Sequence, residues 1–182
     1  MSDGGYVAVR RQSILPADES AITLATTMKA LWLPAKTLLP AGFWYPGKIV
    51  EIKAFGKATT DGTAGNYIFE VGIGAGDAPA ALVTGATVAG TVSQTNVTWM
   101  AEIYAECRTF GTAGVLRLWG TMRPAVALLA STLQPYLMPN ATPADITFDF
   151  SVATNALTLQ AQRSGAGVWT MTTTSLQMRD VT

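Results

Sequence analysis

Hydrophobic and polar residues alternate along most of this chain, and a period of two is typical of half-buried β-strands. Between residues 97 and 108, for example, Trp99, Ile103 and Cys107 fall on one face, while Glu102 and Glu106 fall on the other. We interpret the face that carries Glu102 and Glu106 as solvated. The alternating segments predict strands at residues 22–33, 48–57, 66–73, 81–88, 97–110, 115–122, 126–133, 146–152, 157–163 and 168–178.

Clusters of Gly, Pro, Asn and Asp separate nearly all of these segments and predict turns. Only residues 124–134 compete as a helix, but this segment is short, bounded by prolines and without a charged face, so we predict a strand or irregular structure. About ten short strands without alternating helices favour a sandwich or barrel over an α/β fold. We expect an all-β fold, a two-sheet antiparallel jelly-roll-like sandwich, because this architecture protects strand edges.

The first 20 residues do not share the alternation. They contain paired glycines, the basic pair Arg10 and Arg11, and the acidic pair Asp18 and Glu19. We interpret residues 1–20 as an extended N-terminal arm that a neighbouring subunit holds. Residues 21–182 are then one β-sandwich domain, since a chain of 182 residues lies within the usual range of a single domain.

The composition predicts extensive contact between subunits. Hydrophobic residues make up 49% of the chain and charged residues only 13%, against roughly a quarter in average soluble domains. Twelve basic and twelve acidic residues cancel, and no basic run exceeds Arg10 and Arg11, which argues against nucleic-acid binding. Prolines interrupt the longest uncharged segment, residues 124–144, which argues against a membrane span.

The residues available for chemistry are few. The chain has no histidine and one cysteine, Cys107, so neither a His-containing catalytic triad nor a zinc site can form, and Cys107 is predicted to be a buried strand residue. Carboxylates four positions apart on a strand are about 13 Å from each other, whereas glycosidase pairs need about 5 to 9.5 Å. We therefore predict no enzyme activity, no metal and no cofactor. The carboxylate pairs considered are Glu102 with Glu106 and Asp145 with Asp149.

Two glycine-rich segments are interpreted as turns. Residues 72–77 lack the third glycine of a dinucleotide-binding loop and no helix follows them, so they predict a turn between two strands. Residues 61–65 hold a single carboxylate, that of Asp61, which is too few for a calcium loop.

Aromatic residues are the strongest candidates for a binding surface. Phe43, Trp44 and Tyr45 are consecutive, so an extended chain cannot point all three into one core, and at least one is predicted to face a partner or to seal an edge of the sandwich. We favour a subunit contact over a carbohydrate site. The isolated tryptophans are predicted to lie mostly in the core: Trp32, Trp99, Trp119 and Trp169.

The order of these segments resembles a group of small jelly-roll virion proteins of tailed bacteriophages, namely capsid decoration, minor capsid and minor tail proteins. The resemblance covers about residues 38–178 and implies no catalytic residue. It implies a homotrimer or another symmetric oligomer, bound to a capsid lattice or a tail. The matching segments are LPAGFWYPGK (39–48) leading into IVEIKAFGKA (49–58), NYIFEVGIG (66–74), NVTWMAEIYAE (96–106), GTAGVLRLWG (111–120) and ITFDFSVATNALTLQAQ (146–162).

The leading hypothesis is a non-enzymatic capsid decoration or minor head protein, made in the cytoplasm of a bacterial host and located in the virion. Its expected partners are further copies of itself and the major capsid protein or another virion protein. One alternative is a tail-tip or fibre module that binds host-surface carbohydrate, and a weaker one is a glycan hydrolase. Docking of the arm is assigned to Tyr6, Val7, Val9, Arg10 and Arg11.

Overall fold

A computed structural model describes residues 12–13, 17–40, 42–75, 78–128, 135–139, 145–151 and 155–181. Nearly all of its regular structure is β. The strands are β1 (Gln12–Ser13), β2 (Ile22–Leu24), β3 (Lys29–Ala30), β4 (Leu38–Leu39), β5 (Ile49–Thr60), β6 (Gly65–Ala75), β7 (Ala78–Thr84), β8 (Val88–Gly90), β9 (Gln94–Thr109), β10 (Gly114–Pro124), β11 (Tyr136–Met138), β12 (Asp145–Phe148), β13 (Asn155–Ser164) and β14 (Trp169–Asp180).

The strands form two antiparallel sheets that pack as a sandwich. Over the described ranges, the larger sheet has the order β1-β14-β5-β9-β10-β11, with β2 also on β14 and β12 on β10. The smaller sheet has the order β3-β13-β6-β7, with β4 on β13 and β8 on β6. The predicted all-β, two-sheet antiparallel sandwich is confirmed.

One long ribbon connects the sheets. The chain passes from β5 in the larger sheet to β6 in the smaller one, and it returns from β13 in the smaller sheet to β14 in the larger. Because β14 pairs with β5 and β13 pairs with β6, the ribbon folds over the core from one sheet to the other. This folded ribbon is the jelly-roll-like feature of the fold.

The core lies between the sheets and follows the alternation of the long strands. On β9 the side chains from Trp99 to Cys107 are buried at every second position, and those between them are half-buried. Trp32, Trp99 and Trp169 are core residues as predicted, whereas Trp119 lies half-buried on the outer face of the larger sheet. Cys107 is buried as predicted, and its burial raises the pKa of the thiol.

The prediction of one strand over residues 22–33 is wrong, because this segment crosses from one sheet to the other. Leu24 pairs with Trp169 on β14, but the N–H of Arg163 on β13 already donates to the carbonyl of Ala25. The segment then pairs with β13 through Lys29 and continues into a 3-10 turn at Pro34–Thr37. Stacked sheets lie about 10 Å apart, so a single straight strand cannot pair with both.

Other strand boundaries differ for local reasons. The segment predicted at 81–88 is two strands, β7 and β8, separated by residues 85–87. The strand predicted at 146–152 ends at Phe148, where Asp149 forms a turn by accepting hydrogen bonds from Ser151. The strand predicted at 126–133 begins instead with a 3-10 turn, Val126–Leu128, and residues 129–134 lie outside the described residues.

The described part of the arm lies along β14 of its own chain. Gln12 and Ser13 pair with Met178 and Gln177, and the N–H of Glu19 donates to the carbonyl of Thr173 at 2.8 Å. Asp18 forms an ion pair of 3.1 Å with Lys57 on β5. These contacts lie within the chain, and contact of the arm with a neighbouring subunit stays a prediction. The predicted docking residues Tyr6, Val7, Val9, Arg10 and Arg11 lie outside the described residues.

Candidate functional site: an aromatic end and an open sheet face

The loop before β5 holds the consecutive aromatic residues against one end of the sandwich. The N–H of Gly47 donates to the carbonyl of Cys107 at 2.7 Å, and the N–H of Cys107 donates to the carbonyl of Lys48 at 2.9 Å. The loop therefore continues the pairing between β5 and β9 and is fixed to the sheet on both sides of Lys48.

The three aromatic side chains do not all enter the core, as the sequence predicts. Trp44 is buried and packs edge to face on Phe43 at 5.2 Å and on Phe150 at 5.6 Å between ring centroids. Tyr45 is 50% exposed. Phe110, at the end of β9, is 48% exposed and stacks on Phe150 at 5.9 Å. We call this surface the aromatic end: Phe43, Tyr45 and Phe110 supported by the buried Trp44 and Phe150.

A lysine whose charge is balanced by an ion pair lies among these rings. The Nζ atom of Lys48 is 3.9 Å from the ring centroid of Phe43 and 5.0 Å from that of Tyr45, within the range of cation–π attraction. The same atom forms a 2.8 Å ion pair with Asp180. Lys48 is buried, so the aromatic end presents mainly ring surface rather than charge.

The outer face of the larger sheet is the second candidate surface. We call it the open face: the outward side chains of β14, β5, β9, β10 and β11. Most of its charged side chains form ion pairs between strands or along one strand. Arg123 on β10 is exposed and forms no ion pair with the residues that the structure describes. Tyr104 stacks on Trp119 with ring centroids 5.2 Å apart. The ion pairs include Lys53 with Glu102 and with Glu51, Lys57 with Asp18, Arg108 with Glu106, Arg117 with Asp145, and Arg179 with Glu51.

Glu51 is the centre of this network and is only 2% exposed. The hydroxyl of Tyr104 donates to Glu51 Oε1 at 2.8 Å, and Arg179 donates to Oε2. Burial alone would raise the pKa of Glu51, but the hydrogen bonds from Arg179 and Tyr104 and the charges of Lys53 and Arg179 outweigh it, so the pKa is lowered. Burial and the carboxylate of Glu51 raise the pKa of Tyr104 to about 12.

Replacing Glu51 by glutamine is expected to lower the free energy of unfolding at neutral pH by about 1–3 kcal/mol, because the buried network loses its negative charge and one of its two acceptor oxygens. The lowered pKa means that the folded state binds protons more weakly than the unfolded state. The stabilisation by Glu51 is therefore complete above its ordinary pKa of 4.5 and lost as the pH falls below that value. Urea unfolding between pH 3 and 7 should show a shallower pH dependence in Glu51→Gln than in the wild type; parallel curves would contradict this role.

The carboxylates considered for catalysis have structural partners. Glu102 and Glu106 lie on the polar face of β9, as predicted, and Asp145 on β12 pairs with Arg117. Asp61 accepts hydrogen bonds from the N–H groups of Val168 and Thr63, which lower the pKa of its carboxyl group. Within the described ranges, acidic residues and Cys107 form no group of three that could hold a metal ion.

Two grooves lie away from the aromatic end. One of about 330 Å³ lies between the edges of the two sheets and is lined mainly by apolar atoms of Ile22, Trp32 and Leu33. The other, about 400 Å³, is a hollow on the open face beside Phe55 and Met100. None of the described helical segments is long and apolar enough to cross a membrane.

The sequence identified part of these surfaces. Phe43, Trp44 and Tyr45 were predicted from their adjacency, and the structure brings Phe43 and Tyr45 to the surface while Trp44 joins the core. Phe110 and Lys48 were missed, although each ends or begins a long alternating segment next to a turn. No protein-family model and no curated protein matches the chain.

Proposed function

We propose that this chain is a non-enzymatic structural protein of a bacteriophage particle, a capsid decoration or minor head protein that associates with itself and with the shell. The observation that carries the proposal is the aromatic end, where Tyr45 and Phe110 are about half exposed on a rigid buried support. Aromatic side chains held in this way are typical anchors of protein interfaces, since they cover a large area and lose little rotamer entropy on binding.

The electrostatics of the surface support adhesion rather than catalysis. Lys48 is already paired with Asp180, so a partner can cover the aromatic end without leaving a buried charge unpaired. Glu102, Glu106 and Asp145 each form an ion pair of 2.8 Å, which holds these carboxylates in structural roles.

Repetition strengthens such a contact. A single aromatic patch supports modest affinity, but a symmetric oligomer, for which the resemblance suggests a trimer, presents several copies of the patch to a regular lattice. Binding to the assembled shell and not to its dispersed subunits then shifts the equilibrium towards assembly. In this proposal the arm residues Tyr6, Val7, Val9, Arg10 and Arg11 add a second contact to the same shell.

The carbohydrate-binding alternative depends on Tyr45. Trp44 is buried between Phe43 and Phe150, so its ring face is not accessible to a sugar in this conformation. Tyr45 is exposed, but its ring lies next to the lysine–aspartate pair rather than in one of the two grooves described above. A flat half-exposed ring at the end of a sandwich fits a protein contact better.

The proposal is tested with a Tyr45→Ser/Phe110→Ser double variant, added to purified particles that lack this chain. Loss of two half-exposed aromatic anchors is expected to weaken particle binding at least about tenfold. The matched control is Leu82→Ser/Val168→Ser, which removes two apolar side chains of 44% and 59% exposure elsewhere on the surface. Cosedimentation with particles measures the bound fraction.

Equal binding by the double variant and the control would contradict the role of the aromatic end. Binding of the wild type to host polysaccharide, abolished in the double variant, would favour the carbohydrate alternative instead. A chain without residues 1–11 tests the arm in the same assay. Weaker binding with an intact oligomer supports docking by the arm, and unaltered occupancy refutes it.

A further inference from the structure

The two sheets differ in how their outer faces are covered. Thr158 and Gln160 point away from the core on β13, yet both are almost fully buried, and the turn Pro34–Thr37 packs against the same strand. The described chain thus covers this part of the smaller sheet itself. On the open face, by contrast, the outward positions of β9 and β10 are all half-buried or exposed.

The open face combines apolar side chains with charges that are mostly paired already. Among its described residues the exception is Arg123, which lines the hollow beside Phe55. Phe55 is 41% exposed beside Met100, and Leu137 on β11 is exposed next to Thr121. Every ion pair described above for this face is formed between two residues of the same chain. A partner that covers the face therefore leaves none of those charges unpaired. This avoids the usual energetic penalty of burying a charge without a partner.

The size of the face suits a stable protein contact. Its four long strands have 11 residues or more each. At about 4.8 Å between strands and about 3.3 Å per residue they give a projected area of about 700 Å². Protruding side chains make the accessible area larger than this projection, which brings it near the roughly 800 Å² that each partner buries in a standard interface.

We infer that the open face is the surface on which a second copy of this chain packs, an inference that rests on the self-association in the proposed function. Identical copies carry identical charges, and unpaired charges of one sign would repel across such a contact. Pairing Lys53 with Glu102 and Arg117 with Asp145 inside each chain removes this repulsion for these four side chains. Arg123 keeps an exposed positive charge at the hollow. The exposed ring of Phe55 and the hollow beside it supply the apolar part of the contact.

The test is sedimentation equilibrium of the full chain over a range of concentrations. Phe55→Glu replaces the exposed ring of the contact by a charged, strongly hydrated side chain and is expected to raise the dissociation constant of the oligomer at least about tenfold. Leu137→Glu, at the other side of the face, is a second variant with the same expected effect. The matched control is Leu82→Glu, because Leu82 is 44% exposed, close to the 41% of Phe55, but lies on β7 of the smaller sheet. Far-UV circular dichroism confirms that each variant is folded.

Weakened association in both open-face variants but not in Leu82→Glu supports the inference. Oligomers unaffected by Phe55→Glu and Leu137→Glu overturn it and leave the proposed function standing, with self-contact through another surface. Equal weakening by all three variants also overturns it. A wild-type chain that is monomeric at every concentration overturns both the inference and the self-association in the proposed function, whereas particle binding by the aromatic end is tested separately.

Discussion

Replacing Trp169 by alanine is expected to lower the free energy of unfolding by about 3–5 kcal/mol, the usual loss for a large aromatic side chain in a core. Trp169 is fully buried at the point where the folded ribbon enters β14, with its ring centroid 4.5 Å from that of Tyr67. A Cβ atom added at Gly90 would lie 2.5 Å from the indole, so the ring packs directly on backbone. The loss is measured by chemical unfolding followed by circular dichroism.

The control is Trp119→Ala, which removes the same side chain from the open face, where it is only half-buried. It is expected to cost about 1 kcal/mol, mostly through the lost stacking on Tyr104. If the two variants lose equal stability, the assignment of Trp169 to the core and of Trp119 to the surface is wrong.

Adding one methyl group at Gly56 is expected to destabilise the fold about as much as Trp169→Ala does. A Cβ atom there would lie 2.1 Å from the carbonyl oxygen of Thr172 and 2.4 Å from the indole of Trp99. Neither group can move freely, because the first is backbone of the neighbouring strand and the second is a buried ring. Gly56→Ala should lower the free energy of unfolding by at least about 3 kcal/mol or prevent folding. Thermal and chemical unfolding measure the effect.

Gly62 provides the matched comparison for this substitution. It lies in the turn after β5, and a Cβ atom there would meet only Ser93 Oγ at 3.9 Å. Gly62→Ala should therefore change stability by no more than about 0.5 kcal/mol. A well-folded Gly56→Ala protein with wild-type stability would show that β5 and Trp99 are not packed as described.

The sequence predicted the long strands well because their pattern is local. In β9 and β10, buried and less buried side chains alternate for ten or more residues, and in β5 they alternate from Ile52 to Thr60. This period of two is visible without knowing the neighbours. In β14 a bulge between Thr173 and Ser175 interrupts the alternation. The failure at residues 22–33 has a tertiary cause. Those residues alternate as well, but they divide their hydrogen bonds between β14 and β13, and no local pattern reveals that division.

The candidate surfaces were predicted to a similar extent. Three adjacent aromatic residues predict that at least one ring is exposed. The place of Phe110 in the aromatic end depends on its stacking with Phe150, which lies 40 positions further along the chain in a separate turn. The burial of Glu51 could not be predicted, since its partner Arg179 is 128 residues away in sequence. Long-range pairing of this kind decides which polar residues of a strand are solvated and which form a closed network.

Taken from the core outwards, the molecule is a rigid sandwich with an aromatic end, an open sheet face with internally paired charges, and an arm whose described part follows β14. These features support attachment to other proteins as its role, and the location of the chain tests that role most directly. Particles are purified from cells that produce the chain, labelled with a gold-conjugated antibody against it and imaged by electron microscopy. The label should decorate the particle shell at regularly spaced sites. Particles free of label and of the chain by quantitative mass spectrometry, while the protein is abundant in the lysate, would contradict the account.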